Sequence, residues 1–212
     1  MAVTRTDRPN LGSGAIKFIE GVPIEGIGSA GFRAGIDLLI IGDELDNLDL
    51  IGGDGHDEIE GGGGNDTLRE GFGNGILNGG DGNDDLDGGP GTERLFGGNG
   101  DDILRAGGSV PQPGQIADYD RLNGGAGNDT FGFYGVGHFE IADFTLGQDR
   151  LFFDSEILGI NQLDQLLSYV TNIIPPTVDD GYIVEFVGGA ATIEFVGVDI
   201  NAITPEMIVF SL

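Results

Sequence analysis

Aspartate residues recur through the middle of this 212-residue chain at a spacing of nine. They hold the sixth position of a template, GGxGxDxUx, in which U is a large hydrophobic residue. Five blocks match the template at all of its Gly and Asp positions: 52–60, 61–69, 79–87, 97–105 and 124–132. Carboxylates placed at such a regular spacing are suited to binding a series of cations rather than one.

Other blocks keep the nine-residue frame but depart from the template. Block 70–78 has Gly75 and block 88–96 has Glu93 where Asp is expected. Upstream, residues 41–49 fit loosely through Gly42, Asp46 and Leu48. After an insertion around residues 110–119, the second half of the template resumes at Asp120. The eighth position stays hydrophobic throughout, as Leu48, Ile59, Leu68, Leu77, Leu86, Leu95, Leu104, Leu122 and Phe131.

One hydrophobic residue in nine fits neither an amphipathic helix nor an ordinary alternating strand. Three residues around that position can form a short strand with one side chain inward, and the six before it must reverse the chain. Glycine permits the left-handed dihedrals that such reversals need. Two units then make one coil, and stacked coils pair their strands in parallel around a thin core. The sequence therefore predicts an all-β fold built on a right-handed parallel β-roll.

Stacked coils place equivalent carboxylates about 4.8 Å apart. At that distance like charges repel by on the order of 1 kcal/mol even in water, so a cation must lie between them. Oxygen donors without Cys or His select Ca²⁺ or Mg²⁺, and flexible glycine carbonyls favour Ca²⁺. We therefore expect several Ca²⁺ ions.

Composition narrows the function classes. The chain has 36 acidic against nine basic residues, a net charge of −27, which disfavours nucleic acid as a partner. No cysteine is present, so zinc–thiolate sites, iron–sulfur clusters and thiol nucleophiles are excluded. With only His56 and His138 and no HExxH or GxSxG motif, we predict no catalytic site and no organic cofactor. No apolar stretch is long enough to predict membrane insertion.

The repeats resemble those of the RTX (repeats-in-toxin, hemolysin-type) family over residues 41–132. In that family each Ca²⁺ lies between turns two repeats apart, bound by the Asp and by carbonyls of positions one to four. Carried onto this chain, the resemblance implies these metal residues: Asp46, Gly52, Gly53, Asp54, Gly55, Asp57, Gly61, Gly62, Gly63, Gly64, Asp66, Gly79, Gly80, Asp81, Gly82, Asp84, Glu93, Gly97, Gly98, Asn99, Gly100, Asp102, Asp120, Gly124, Gly125, Ala126, Gly127 and Asp129.

Alternate repeats should lie on opposite edges of the roll. The first edge would carry intact carboxylates at Asp46, Asp66, Asp84, Asp102 and Asp129. The second edge would carry Asp57, Gly75, Glu93 and Asp120, so its second member would lack a carboxylate. We therefore expect a complete calcium ladder on the first edge and a depleted one on the second.

The two ends of the chain differ from the repeats. Residues 1–40 match no pattern and are assigned only as an N-terminal segment that could cap the roll. Residues 133–212 are predicted to form a β-rich cap, with a short helix within 161–172 and a hairpin around Gly188–Gly189. The tail 202–212 resembles the C-terminal signal of type I secretion cargo, although its hydrophobic residues would equally form a final strand.

Three functions stay open at this level. The chain is a secreted bacterial calcium-binding protein that folds on binding Ca²⁺, the C-terminal module of a larger secreted enzyme, or a surface or matrix protein that self-associates through Ca²⁺. The enzymes to which such modules are attached in the family are proteases, lipases and polysaccharide-modifying enzymes. The second function would allow contact with a polysaccharide, and the resemblance of the tail adds the type I secretion machinery as a candidate partner.

Overall fold

Short strands dominate the computed structural model of the chain, which describes the backbone of residues 17–20 and residues 37–47, 49–108, 118–176, 181–186 and 191–212. The strands are β1 (Lys17–Glu20), β2 (Leu38–Ile41), β3 (Leu50–Gly55), β4 (Glu58–Gly63), β5 (Thr67–Gly73), β6 (Ile76–Asp81), β7 (Asp85–Pro90), β8 (Arg94–Asn99), β9 (Ile103–Gly107), β10 (Tyr119–Ala126), β11 (Thr130–Phe133), β12 (Gly137–Ile141), β13 (Arg150–Phe153), β14 (Val170–Ile174), β15 (Tyr182–Phe186), β16 (Ala191–Phe195) and β17 (Ile208–Val209). Two helices, α1 (Ser155–Leu158) and α2 (Leu163–Tyr169), lie between β13 and β14.

The strands form two facing sheets whose members alternate along the chain. One sheet has the order β1-β2-β4-β6-β8-β10-β12-β16-β15-β14, and the other has the order β17-β13-β11-β9-β7-β5-β3. Neighbours from β2 to β16 in the first sheet, and throughout the second, run parallel, as in the pairs Leu77↔Leu95 and Leu68↔Leu86. The predicted parallel β-roll is confirmed, with one coil for every two repeats.

Within the repeats, the core is a single row of large hydrophobic side chains, one from each strand. In the repeats these are the fully buried residues Ile59, Leu68, Leu77, Leu86, Leu95, Leu104, Leu122 and Phe131. Each was predicted from the eighth position of the template; Leu48, predicted with them, lies outside the described residues. Because only one large side chain per strand points inward in the repeats, their core is thin. Much of the stability of the roll must therefore come from interactions in the turns.

Aromatic residues widen the core beyond the last repeat. Phe133 packs between Phe139 and Phe153, with ring centroids 5.1 and 5.8 Å apart, and Leu166 of α2 is buried beside them. Helix α2 and the antiparallel pair β15–β16 were predicted, whereas α1 was not. The residues 188–189 that were expected to turn the hairpin lie outside the described part of the chain.

Antiparallel strands cover both ends of the larger sheet. Strand β1 pairs with β2 at one end, and β15 followed by β14 extends the sheet at the other. Such strands occupy the edges that would otherwise be open to pairing with another chain. The rest of residues 1–36 lies outside the described part of the chain. No helix in the described ranges is long and apolar enough to cross a membrane.

Replacing Leu86 with Ala should lower the free energy of unfolding of the Ca²⁺-loaded protein by about 2–5 kcal/mol, because Leu86 is fully buried in a row that cannot close over the cavity. Urea unfolding in saturating Ca²⁺ measures the change. Ile51→Ala on strand β3 of the same sheet is the matched control: that side chain is 51% exposed, and its loss should cost less than about 1 kcal/mol. Equal losses for the two variants would contradict the single-row core.

Candidate metal centres

The turns of the first edge run from the larger sheet to the smaller one and stack their sixth-position carboxylates. Main-chain N–H groups link them: that of Asp66 donates to Asp84 Oδ1 at 2.7 Å, that of Asp84 to Asp102 Oδ1 at 2.8 Å, and that of Asp102 to Asp129 Oδ1 at 3.0 Å. These four side chains are buried. Asp149 extends the series, since it accepts from the N–H of Asp129 at 2.9 Å.

The second carboxylate oxygen of most of these residues has no hydrogen-bond partner. On the first edge this holds for Oδ2 of Asp66, Asp84 and Asp102. On the second edge the same is true of Asp57 Oδ2 and Asp120 Oδ2 and of both oxygens of Glu93. A buried carboxylate without partners is strongly destabilising. This repeated series of unpaired oxygens indicates that a cation binds them.

Main-chain carbonyl oxygens face the same spaces. A Cβ atom on Gly79 would lie less than 3.0 Å from both Asp84 Oδ2 and the carbonyl oxygen of Gly97, one coil further on. The same convergence recurs in the preceding and following turns of this edge, at Gly61 and Gly97. Gly80 and Gly82 have φ values of +109° and +131°, and a Cβ on either would collide with a carbonyl oxygen of the adjacent turn. Only glycine therefore lets successive turns approach so closely.

These oxygens suit Ca²⁺, which takes about six to eight oxygen ligands in flexible geometry. Nowhere in the described residues do three or more His, Asp or Glu side chains form one cluster. Each ion would therefore depend on carboxylates from successive turns together with the glycine carbonyls between them. That donor set excludes metals that require nitrogen or sulfur ligands.

Burial and mutual repulsion make these carboxylates hard to ionise without a cation. Desolvation is the main cause, and it raises the pKa of Asp57, Asp84 and Asp129 to about 6. It raises the pKa of Asp102 and Asp120 to about 7, with neighbouring aspartates adding to the shift.

The structure arranges most of the predicted metal residues in stacked turns. Four first-edge turns comprise 61–66, 79–84, 97–102 and 124–129, and the second edge contains 52–57 and 88–93. Asp120 joins the second edge despite the insertion, because the N–H of Glu93 donates to its Oδ1 at 2.9 Å. At the third position, the side chains of Asp81 and Asn99 are exposed and hydrogen-bond to each other at 2.7 Å.

The position predicted for Asp46 was wrong by one residue. Asn47 holds the sixth position: it is buried, and its N–H donates to Asp66 Oδ1 at 2.6 Å. Asp46 is exposed at the fifth position and accepts from the N–H of Asn65. The next core residue is accordingly Leu50, paired with Leu68. The turn 42–47 has six residues like the others, and the extra residue lies between Asn47 and Leu50, where Asp49 has a φ of +61°.

The expectation that the second edge lacks a carboxylate at Gly75 was also wrong. Glu70, the first residue of the same block, directs its side chain into the space beside Gly75 and is fully buried. Burial, together with the charges of Asp57 and Asp54, raises the pKa of Glu70 to about 9. The sequence does carry a signal for this: the block has an acid at the glycine position and glycine at the acid position.

Two aspartates beyond the repeats complete the first edge and were not predicted. Asp149 ends the carboxylate series, and Asp143 accepts the N–H groups of Gly124 and Gly125 at 2.9 and 2.8 Å. Both lie in the segment 141–154, whose spacing of acidic residues differs from the nine-residue template.

A family profile described as the RTX calcium-binding nonapeptide repeat (4 copies) matches residues 49–77, 65–92, 71–104, 87–109 and 117–131. These segments are RTX repeats. Such repeats bind Ca²⁺, in agreement with the unpaired oxygens of both edges. The RTX repeat is a calcium-binding structural motif rather than a catalytic one. A search of curated proteins found no sequence match.

The solved structures that match this chain include a lipase and an epimerase subunit. The extracellular lipase LipA from Serratia marcescens is 18% identical with a TM-score of 0.32, over 79% of this chain and 39% of the lipase. The AlgE6R3 subunit of the Azotobacter vinelandii mannuronan C5-epimerase is 24% identical with a TM-score of 0.36, over 90% of this chain and 86% of that subunit. This chain thus spans about two fifths of the lipase's length.

The metal-free chain should gain structure on acidification. Its carboxylates have pKa values of about 6 to 7 in the roll, above the ordinary value of 3.8, so the roll holds protons that the unfolded chain releases. Stability of the metal-free roll is therefore lost as the pH rises through that window. Circular dichroism in a calcium chelator should show more β structure at about pH 5.5 than at about pH 8.

Calcium should reverse this pH dependence, because each bound ion displaces protons from the same carboxylates. The Ca²⁺ concentration at half-saturation should therefore rise as the pH falls from about 8 to about 5.5. A metal-free chain equally folded at both pH values would show that these carboxylates are not buried together without the ion.

Proposed function

We propose that Ca²⁺ drives folding of this chain outside the cell, where it serves as a calcium-folded binding or scaffolding unit without catalysis of its own. The observation that carries the proposal is the series of buried carboxylate oxygens without partners on both edges. At neutral pH and without cations, these groups and a net charge of −27 oppose the compact state. Binding energy then becomes folding energy, since no site exists in the unfolded chain.

The proposed dependence of folding on Ca²⁺ also favours a location outside the cell. Extracellular calcium modules operate at about 10⁻⁴–10⁻³ M Ca²⁺, far above the range of cytosolic calcium sensors. A chain whose folding requires such concentrations stays expanded during synthesis and export, and folds after release.

The absence of catalysis is part of the proposal. The two histidines have structural surroundings: His138 stacks on Tyr119 with ring centroids 4.8 Å apart and contacts Thr192 and Glu194, while His56 lies in a turn of the second edge. The buried acids belong to the carboxylate series, and Ca²⁺ would occupy the oxygens that a general base needs free. An activity of this chain on esters, peptides or alginate would contradict this part of the proposal.

Circular dichroism during a Ca²⁺ titration tests the proposal. We expect the metal-free chain at neutral pH to be largely unordered and to gain β signal cooperatively with Ca²⁺. Mg²⁺ at the same concentrations is the matched control and should act weakly, because it keeps its waters and demands octahedral geometry. A metal-free chain that is already fully β and unchanged by Ca²⁺ would refute the proposal. Light scattering in the same titration separates folding from self-association.

For export, we propose that the C-terminal tail is recognised while the chain is unfolded and becomes the last strand on folding. Strand β17 lies at the edge of the smaller sheet and pairs with β13 through two residue pairs, Leu151↔Ile208 and Phe152↔Val209. Deleting residues 205–212 should abolish export by a type I system in a bacterial host while leaving Ca²⁺ binding by the repeats. Unchanged export of the truncated chain would contradict this role.

A further inference from the structure

The first and sixth positions of each turn compete for one space. A Cβ atom on the first-position glycines Gly52, Gly61, Gly79, Gly97 and Gly124 would lie less than 3.0 Å from the carboxylate of the same turn. At Gly88, the first-position glycine of the turn that ends in Glu93, the atom in conflict is Glu93 Cγ. One turn therefore accommodates a side chain at position one or at position six, but not at both.

Turn 70–75 also has a side chain at only one of these two positions, but at position one instead of position six. Its first position is Glu70 and its sixth is Gly75, and a Cβ on Gly75 would lie less than 3.0 Å from Glu70 Cγ. The Glu70 side chain thus enters from the opposite end of the turn and fills the volume that an aspartate fills elsewhere.

Both oxygens of Glu70 are buried and without a hydrogen-bond partner. Both oxygens of Glu93, in the next turn of the second edge, are likewise buried and without a partner. In each turn the glutamate Oε1 lies near the fourth-position glycine, which is Gly73 for Glu70 and Gly91 for Glu93. The charge of Asp57 acts on Glu70, and the charge of Glu70 acts on Glu93. Glu70 therefore lies between the carboxylates of the preceding and following coils.

We propose that Glu70 is a Ca²⁺ ligand that replaces the aspartate missing at Gly75. The second edge then has an unbroken ladder of Asp57, Glu70, Glu93 and Asp120, and it binds Ca²⁺ as the first edge does. The inference rests on the proposed function, since it assigns a ligand within the calcium ladders.

Three variants of the full chain test the assignment. Glu70→Gln keeps the shape but removes the charge. The double variant E70G/G75D restores the arrangement of the other turns, with the acid at position six and glycine at position one. Glu60→Gln is the control, because Glu60 lies on β4 beside the inward-facing Ile59 and outside the turns.

Equilibrium dialysis gives the number of Ca²⁺ ions bound per chain, and circular dichroism gives the Ca²⁺ concentration at half-folding. Glu70→Gln should bind at least one ion fewer per chain. Its Ca²⁺ concentration at half-folding should be at least about tenfold higher, because even the loss of a group that only supports a metal ligand costs that much affinity. The double variant should recover both values, and Glu60→Gln should match the wild type.

Glu70→Gln with wild-type ion count and midpoint would overturn the assignment, as would a double variant that recovers neither value. Both outcomes require a wild-type chain that binds Ca²⁺ and folds. A wild-type chain that does neither would instead refute the proposed function, so the two failures are distinguishable.

Discussion

Repulsion between stacked carboxylates is the constraint on which the rest of this structure depends. A parallel roll places identical positions of successive coils a strand spacing apart, and here the identical position is an acid. The oxygens that hydrogen bonds leave unpaired lie at the edges, next to carbonyl oxygens of adjacent turns. In the proposed function, cation binding at the edges and hydrophobic burial between them are parts of one folding process.

The glycines make this arrangement possible in two ways. Some permit positive φ, as at Gly80 and Gly82, and so allow a reversal in six residues. Others, at the first position, leave space for the acid of their own turn. In the turn formed by Glu70 and Gly75, the acid is at position one and the glycine is at position six. The turn therefore needs space for one acidic side chain, which can come from either position. A series of buried carboxylates can thus continue past a missing template aspartate when the acid is supplied from the other end of the turn.

The nine-residue period made the sheets, the core row and the two edges predictable, because each depends on residues repeated at fixed positions. What could not be predicted departs from that period. Asn47 takes the sixth position because its turn begins at Gly42 and one extra residue separates Asn47 from the core residue Leu50, which no single-turn pattern reveals. Glu70 was missed because a template scores each position alone, whereas the structure shows that positions one and six share one space. Asp149 was missed because it follows the repeats at a different spacing.

A crystal structure of the Ca²⁺-loaded protein, with the ions located by anomalous scattering, tests the central claim most directly. We predict ions between successive coils on both edges, each about 2.3–2.6 Å from carboxylate oxygens that the metal-free chain leaves unpaired. On the first edge these belong to Asp66, Asp84 and Asp102, and on the second to Asp57, Glu70, Glu93 and Asp120. An ordered roll in which these oxygens contact no metal ion would contradict the claim that calcium holds the coils together.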